Sequence, residues 1–330
     1  MKTMIERGLK MTKLKLKKKV ATKGIILLVI LLVGSFFGIK FYKEYKYKQT
    51  YEYKFTEHGY TLEESQSLIK YFKEDEQLES LLEKEKNSYI LELINEKYYI
   101  HKNLDRYLAY ANKNKNTSNQ DVVAIVNVNR DYNFYENDIP SDTSLGILLN
   151  VNKYYTLPED FEPIDISNIS IRYSYNGNKI TEEANDAYVS MWNAAQKEGL
   201  TLIVNSSYRD YQDQDRVYNN IKASSGQKEA DKVAARPGHS EHQTGLAIDV
   251  FEIGNQSTLT FKDSPAYIWL KENARFYGFI ERYPEDKEYL TGYSFESWHW
   301  RYVGEEAAKK IYEENITFDE YYAYYIENQA

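Results

Sequence analysis

Residues 24–39, GIILLVILLVGSFFGI, run sixteen positions without a charge, directly behind the lysine-rich stretch KLKLKKK. Carried through Lys40 to Tyr42, the apolar segment reaches nineteen residues. At about 1.5 Å rise per residue, that spans a bilayer core of ~30 Å. Lys40 is placed to snorkel its ammonium to the far interface, where Phe41 and Tyr42 would also sit. Nine of the eleven Lys and Arg among residues 1–43 precede the apolar run. The positive-inside rule therefore expects residues 1–23 in the cytoplasm, 24–42 in the membrane and the rest outside. The rival is a cleaved signal peptide, which needs a small-x-small site just past the run; GSFFGIKFY offers a poor one. A buried core helix is disfavoured, because the Lys-rich flank would have to be buried with it.

Charge sharpens the division. Residues 1–43 sum to +10 (eleven cations, one Glu), and the whole chain to −8, so residues 44–330 carry −18. Such a body excludes a basic nucleic-acid footprint. With no cysteine there is no disulfide framework, no lipid-modified cysteine and no thiolate metal site. A metal would need His, Asp or Glu, and the chain has five histidines.

Beyond the anchor, residues 43–60 are polar and aromatic without period and read as a stalk. Residues 61–112 read as a small helical module. Thr61 and Glu64 form a capping box, Leu68, Ile69, Phe72, Leu78, Leu81 and Leu82 follow, and a second helical pattern runs from Ile90 to Tyr110. His58 and His101 are isolated there and read as ordinary surface residues. Residues 113–163 read as a connecting region in which DVVAIVNV (121–128) has strand character. In residues 164–330 the signals alternate. A helix begins after Thr181 with Ala184, Tyr188, Met191 and Trp192 on one face, and LTLIVNSS reads as a strand. Helices over 212–221 and 227–235 follow, then the strand GLAIDVFEI, then a helix from Ser264-Pro265 to Gly278. Single helices between strands predict an α+β domain, a small antiparallel sheet with flanking helices.

Asp249 is anomalous within GLAIDVF. It shares a strand face with Ala247 and Phe251, and a carboxylate in such company needs a partner, either a cation or a metal. Glu296 and His299 in ESWHW stand among Trp298, Trp300 and Tyr302, a dry setting for an acid and an imidazole. Singly, Asp249 would be read as salt-bridged and His299 as a satisfied core histidine. Together, His242, Asp249 and His299 make a His/Asp/His zinc set with Glu296 left over as general base. Spacing alone does not decide which acid is ligand and which is base.

SEHQTGLAID fits the pattern SxHxxGxxxD and ESWHW fits ExWH, and in both the chain resembles the zinc peptidases of family M15, most closely the VanY-type D-alanyl-D-alanine carboxypeptidases. NSSYRDYQDQ (205–214), RYPEDKEYLTGY (282–293) and WHWRYVG (298–304) are similar to that family's stretches as well, and the likeness covers residues 164–316. The resemblance implies a Zn2+-dependent carboxypeptidase acting on peptidoglycan stem peptides. It implies His242, Asp249 and His299 as metal ligands, Glu296 as base, Arg209 beside the scissile carbonyl, and Ser240 and Gln214 as substrate contacts. His239 receives no role beyond support or surface. The same motifs serve relatives that cut an L,D bond in a trimmed stem. A cell-wall binding protein without turnover would be expected to lack Glu296 or Arg209, and both are present.

Overall fold

The computed structural model describes residues 2–329, and the chain divides at Asn95 and Glu96 into two compact units. The first opens with α1 (Lys2–Lys48), a 47-residue helix that buries none of its residues and is long and apolar enough to cross a membrane. The span read as an aperiodic stalk is instead helical. α1 continues to Lys48, and α2 (Tyr51–Glu57) follows behind Thr50, whose hydroxyl accepts from the Tyr53 amide. Burial of Phe55 and this cap supply what periodicity lacked. α3 (Leu62–Tyr71) carries the Thr61–Glu64 capping box, and α4 (Asp75–Leu82) buries Leu78 and Leu81.

The expected helix from Ile90 to Tyr110 is broken. One turn, Ile90–Leu93, ends the first unit, and α5 (Leu104–Lys113) opens the second. The boundary between units thus falls inside the span read as one helical module. DVVAIVNV is not a strand but most of α6 (Asn119–Asn127). Ser118 caps it by accepting from the Asp121 amide, and Val122 to Asn127 are all buried. A short apolar run buried on every side has no period to separate helix from strand, and packing then overrides the β-preference of valine. Arg106 of α5 ties the two helices, donating to Val126 O at 2.8 Å and to Asp131 Oδ2 at 3.0 Å.

Asp249 and His299 lie on a four-stranded antiparallel sheet of β1 (Leu202–Ser206), β2 (Ala247–Glu252), β3 (Phe279–Glu281) and β4 (His299–Tyr302), in the order β1-β2-β4-β3. α7 (Glu182–Lys197) lays its predicted stripe of Ala184, Tyr188, Met191 and Trp192 into a core with Val204, Ile248, Val250 and Trp300. α8 (Tyr211–Ser225) and the short helix Gln227–Val233 follow β1. α9 (Pro265–Asn273) starts behind the Ser264 cap, and its continuation ends at Gly278 as read. α10 (Glu305–Glu314) and α11 (Phe318–Tyr325) close the chain.

Because α5 packs with α6, a chain starting at Glu96 is expected to unfold cooperatively on heating, at close to the full-length midpoint. One starting at Asn114 bares the α6 face, buries less apolar surface and should unfold at least several degrees lower, read by circular dichroism.

Candidate metal centre

Antiparallel pairing sets Asp249 of β2 opposite His299 of β4 and, across a bulge after Val204, opposite Ser206 of β1. Directly opposed residues project from the same face, so the carboxylate and the imidazole meet by register alone. His299 Nδ1 lies 3.3 Å from Asp249 Oδ1. His242 comes from the one-turn helix Glu241–Thr244, whose exit requires Gly245 at φ +66°. A Cβ on Gly245 would stand 3.0 Å from Pro163 and 3.1 Å from Ile166, so a side chain there would crowd both in a backbone conformation that favours glycine. His242 Nε2 reaches 3.5 Å from the same Asp249 Oδ1, with the two imidazole rings 5.0 Å apart and nearly perpendicular.

The donor atoms of His242, Asp249 and His299 all lie within 4.8 Å of one another. Asp249 Oδ1 is buried and has no hydrogen-bond partner. An orphaned carboxylate oxygen between two imidazole nitrogens is the environment a divalent cation satisfies, and two nitrogens with one oxygen suit zinc. The residues present therefore fit the metal.

Each histidine is oriented from behind. His242 donates from Nδ1 to the Ser207 carbonyl at 2.6 Å, leaving Nε2 toward the centre. His299 donates from Nε2 to Glu241 Oε2 at 3.3 Å, leaving Nδ1. Glu241, unmarked in the sequence reading, is fully enclosed. Arg282 donates to its Oε1 at 2.7 Å and Arg301 to the same oxygen at 3.1 Å. Arg282 also grips Asp319 of α11 with two bonds, at 2.7 and 3.0 Å. Burial opposes the charge on Glu241, but the two guanidiniums and His299 outweigh it and hold the carboxyl well below its usual range. The signal available in the sequence was alternation: on β4 His299 and Arg301 share the face opposite Trp300 and Tyr302.

Burial, with Arg209 second, brings His242 down to about 4, the neutral state a ligand needs. Glu296 is pushed up to about 7, chiefly by burial, and its Oε2 lies 3.7 Å from His299 Nδ1. Arg209 Nη1 donates to Ser206 Oγ at 2.6 Å and stands 3.9 Å from Asp249 Oδ2. Gln214 is turned to Arg209. Its Oε1 accepts from Arg209 Nε at 3.1 Å, and its amide donates to Ala235 O at 2.8 Å. Arg209, Gln214, Ser240, His242, Glu296 and His299 line one cavity of about 80 Å³, with Val217, Ile221, Val233 and Ala234 as its apolar lining and Tyr283 and Tyr293 also on its wall. His239 lies apart, donating to Asn152 O at 2.8 Å beneath Tyr135. His58 binds Lys84 O, and His101 meets the Tyr99 hydroxyl.

Glu241→Gln keeps the shape but removes the charge that two buried arginines face and that holds the His299 tautomer. Metal affinity is expected to fall about 10–100-fold, measured by competition with a chromophoric chelator, with a lower unfolding midpoint.

Residues 177–305 match the family model described as VanY, D-alanyl-D-alanine carboxypeptidase. YodJ of Bacillus subtilis (strain 168), which bears a carboxypeptidase name, is 41% identical over 183 residues, covering 54% of this chain and 67% of that protein. A D-alanyl-D-alanine carboxypeptidase of Enterococcus faecalis (strain ATCC 700802 / V583) is 36% identical over 183 residues, covering 53% of this chain and 65% of that one. The solved structure of the LdcB LD-carboxypeptidase is 38% identical, covers 57% of this chain and 90% of that one, and superposes with a TM-score of 0.54. The matched segment thus spans about two thirds of the curated relatives' lengths. With these identities over shared sequence and fold, the chain belongs to the VanY-type D-alanyl-D-alanine carboxypeptidase family.

Proposed function

We propose that this protein is a membrane-anchored zinc carboxypeptidase that removes the C-terminal D-alanine from peptidoglycan stem peptides. The observation that carries the reading is the unpartnered Asp249 Oδ1 between His242 Nε2 and His299 Nδ1, with Glu296 and Arg209 on the same small cavity. His242, Asp249 and His299 hold zinc, which when bound supplies Lewis acidity and brings water's pKa down to about 7. Glu296, kept dry and raised toward neutrality, takes the proton from the attacking water at its carboxylate and delivers it to the leaving amine. Arg209, held by Ser206 and Gln214, presents its guanidinium to the negative charge that develops on the scissile carbonyl oxygen. Ser240 contacts the substrate, and Gln214 acts on it through Arg209. The apolar side formed by Val217, Ile221, Val233 and Ala234 suits a residue whose side chain is a methyl group.

The lysine-rich residues ahead of the apolar run favour an N-terminus in the cytoplasm, with the zinc-binding unit outside, where stem peptides are found. A second reading is favoured by the likeness to LdcB, an LD-carboxypeptidase: release of D-alanine from a tetrapeptide stem.

Full-length protein in detergent, loaded with zinc, is expected to release D-alanine from a pentapeptide stem. Release from a tetrapeptide alone establishes the second reading, and release from neither by a zinc-loaded protein sinks both. Glu296→Gln is expected to retain zinc by elemental analysis and lose turnover. Arg209→Ala should lower kcat about 10²–10³-fold.

A further inference from the structure

Lys153 lies outside the segment matched to the family and is 2% exposed. Among the described residues no carboxylate oxygen comes within ion-pair distance of it. Its ammonium donates instead to two backbone carbonyls, Asp231 O and, at 2.6 Å, Gly292 O. The same nitrogen stands 4.4 Å from the centre of the Phe134 ring and 4.2 Å from that of Tyr293, each attracting a cation through its π face. The cradle admits nothing larger. Gly292 has φ +76°, and a Cβ there would stand 2.6 Å from Phe134 and 3.4 Å from Lys153 Cδ.

The two carbonyls belong to two separate chain segments, each of which runs into a wall of the cavity. Asp231 sits in the helix Gln227–Val233, which runs into the lining residues Val233, Ala234 and Ala235; Gly292 directly precedes the lining residue Tyr293. One direct backbone bond between these walls, Ser294 N to Lys232 O at 3.3 Å, is long. The Asp231 carboxylate is occupied elsewhere, by Tyr218 and Arg236. Glu296 is anchored separately, its amide donating to Tyr283 O at 3.1 Å.

We propose that Lys153 is a positioning residue for substrate binding: by bridging the Asp231 and Gly292 carbonyls it sets the separation of the two cavity walls. The groups that hold metal and move protons are fixed by other contacts, so the bridge acts on how the peptide seats and not on the bond-breaking step. This rests on the carboxypeptidase reading for its substrate.

The test compares full-length, zinc-loaded wild type with Lys153→Met and Gly292→Ala, following D-alanine release from a stem peptide. Lys153→Met removes both hydrogen bonds at similar length. Gly292→Ala keeps the ammonium but forces the Tyr293 wall away from Phe134. Each is expected to retain one zinc per chain and raise KM about tenfold with kcat changed less than threefold, the pattern of lost substrate binding without lost chemistry. If Lys153→Met does not fold, Gly292→Ala decides alone. An unchanged KM in a folded variant, a fall in kcat at constant KM, or loss of fold in both variants overturns the proposal. A wild type that releases no D-alanine from any stem sinks the carboxypeptidase reading itself. An active wild type with unaltered variants sinks only the bridge.

Discussion

The register that pairs Asp249 with His299 concentrates charge on one face of a small sheet, and most of the second unit is arranged around that consequence. A carboxylate and an imidazole drawn together by backbone hydrogen bonds cannot move apart without breaking the ladder, so their charges must be met where they stand. On the open side they face the cavity, Glu296 and Arg209. On the closed side Glu241 holds His299, Arg282 and Arg301 hold Glu241, and Asp319 holds Arg282. A buried network of this kind adds little net stability over an apolar replacement, yet losing one member costs about 3–5 kcal/mol. What it provides here is a single orientation for the imidazole.

That closed side also reaches beyond the segment that the family model matches. Arg301 donates to the carbonyls of Ile147 and Leu149, Asn152 donates to Asp319, and Asn152 and Lys153 are both buried. Residues 147–153 come before the family match and Asp319 comes after it. The stretch first read as connection is thus structural backing for β4, which carries His299, through polar contacts that leave no hydrophobic period in the sequence. His239 belongs to this backing, since its bond to Asn152 O ties the loop ahead of His242 to the same segment.

Charge and environment are divided along the chain as well. Residues 44–330 carry −18 against +10 in residues 1–43, and nine of the eleven cations of that first stretch precede its apolar run. The small cavity, apolar on its α8 side and polar at the strands, keeps Glu296 dry enough to be basic near neutrality.

The sequence by itself determined what depends on near neighbours. The nineteen-residue apolar run, the Thr61 capping box, the Ala184–Trp192 stripe and the Pro265-to-Gly278 helix are written in period and caps, because each is specified within one contiguous stretch of chain. The residue types of the centre were legible too: an Asp inside an apolar strand and a His among tryptophans have no comfortable alternative. Tertiary structure alone decided that 121–128 is helical, since a run buried on every side carries no period. It alone placed the unit boundary at Asn95 and Glu96, turned Gln214 toward Arg209, and brought Glu241, Arg282, Asp319 and Lys153 behind the site. Apart from Gln214 and Arg209, five positions apart, those contacts join residues tens to more than a hundred positions apart. Their partners are chosen by strand register and helix packing, which no local stretch of sequence contains.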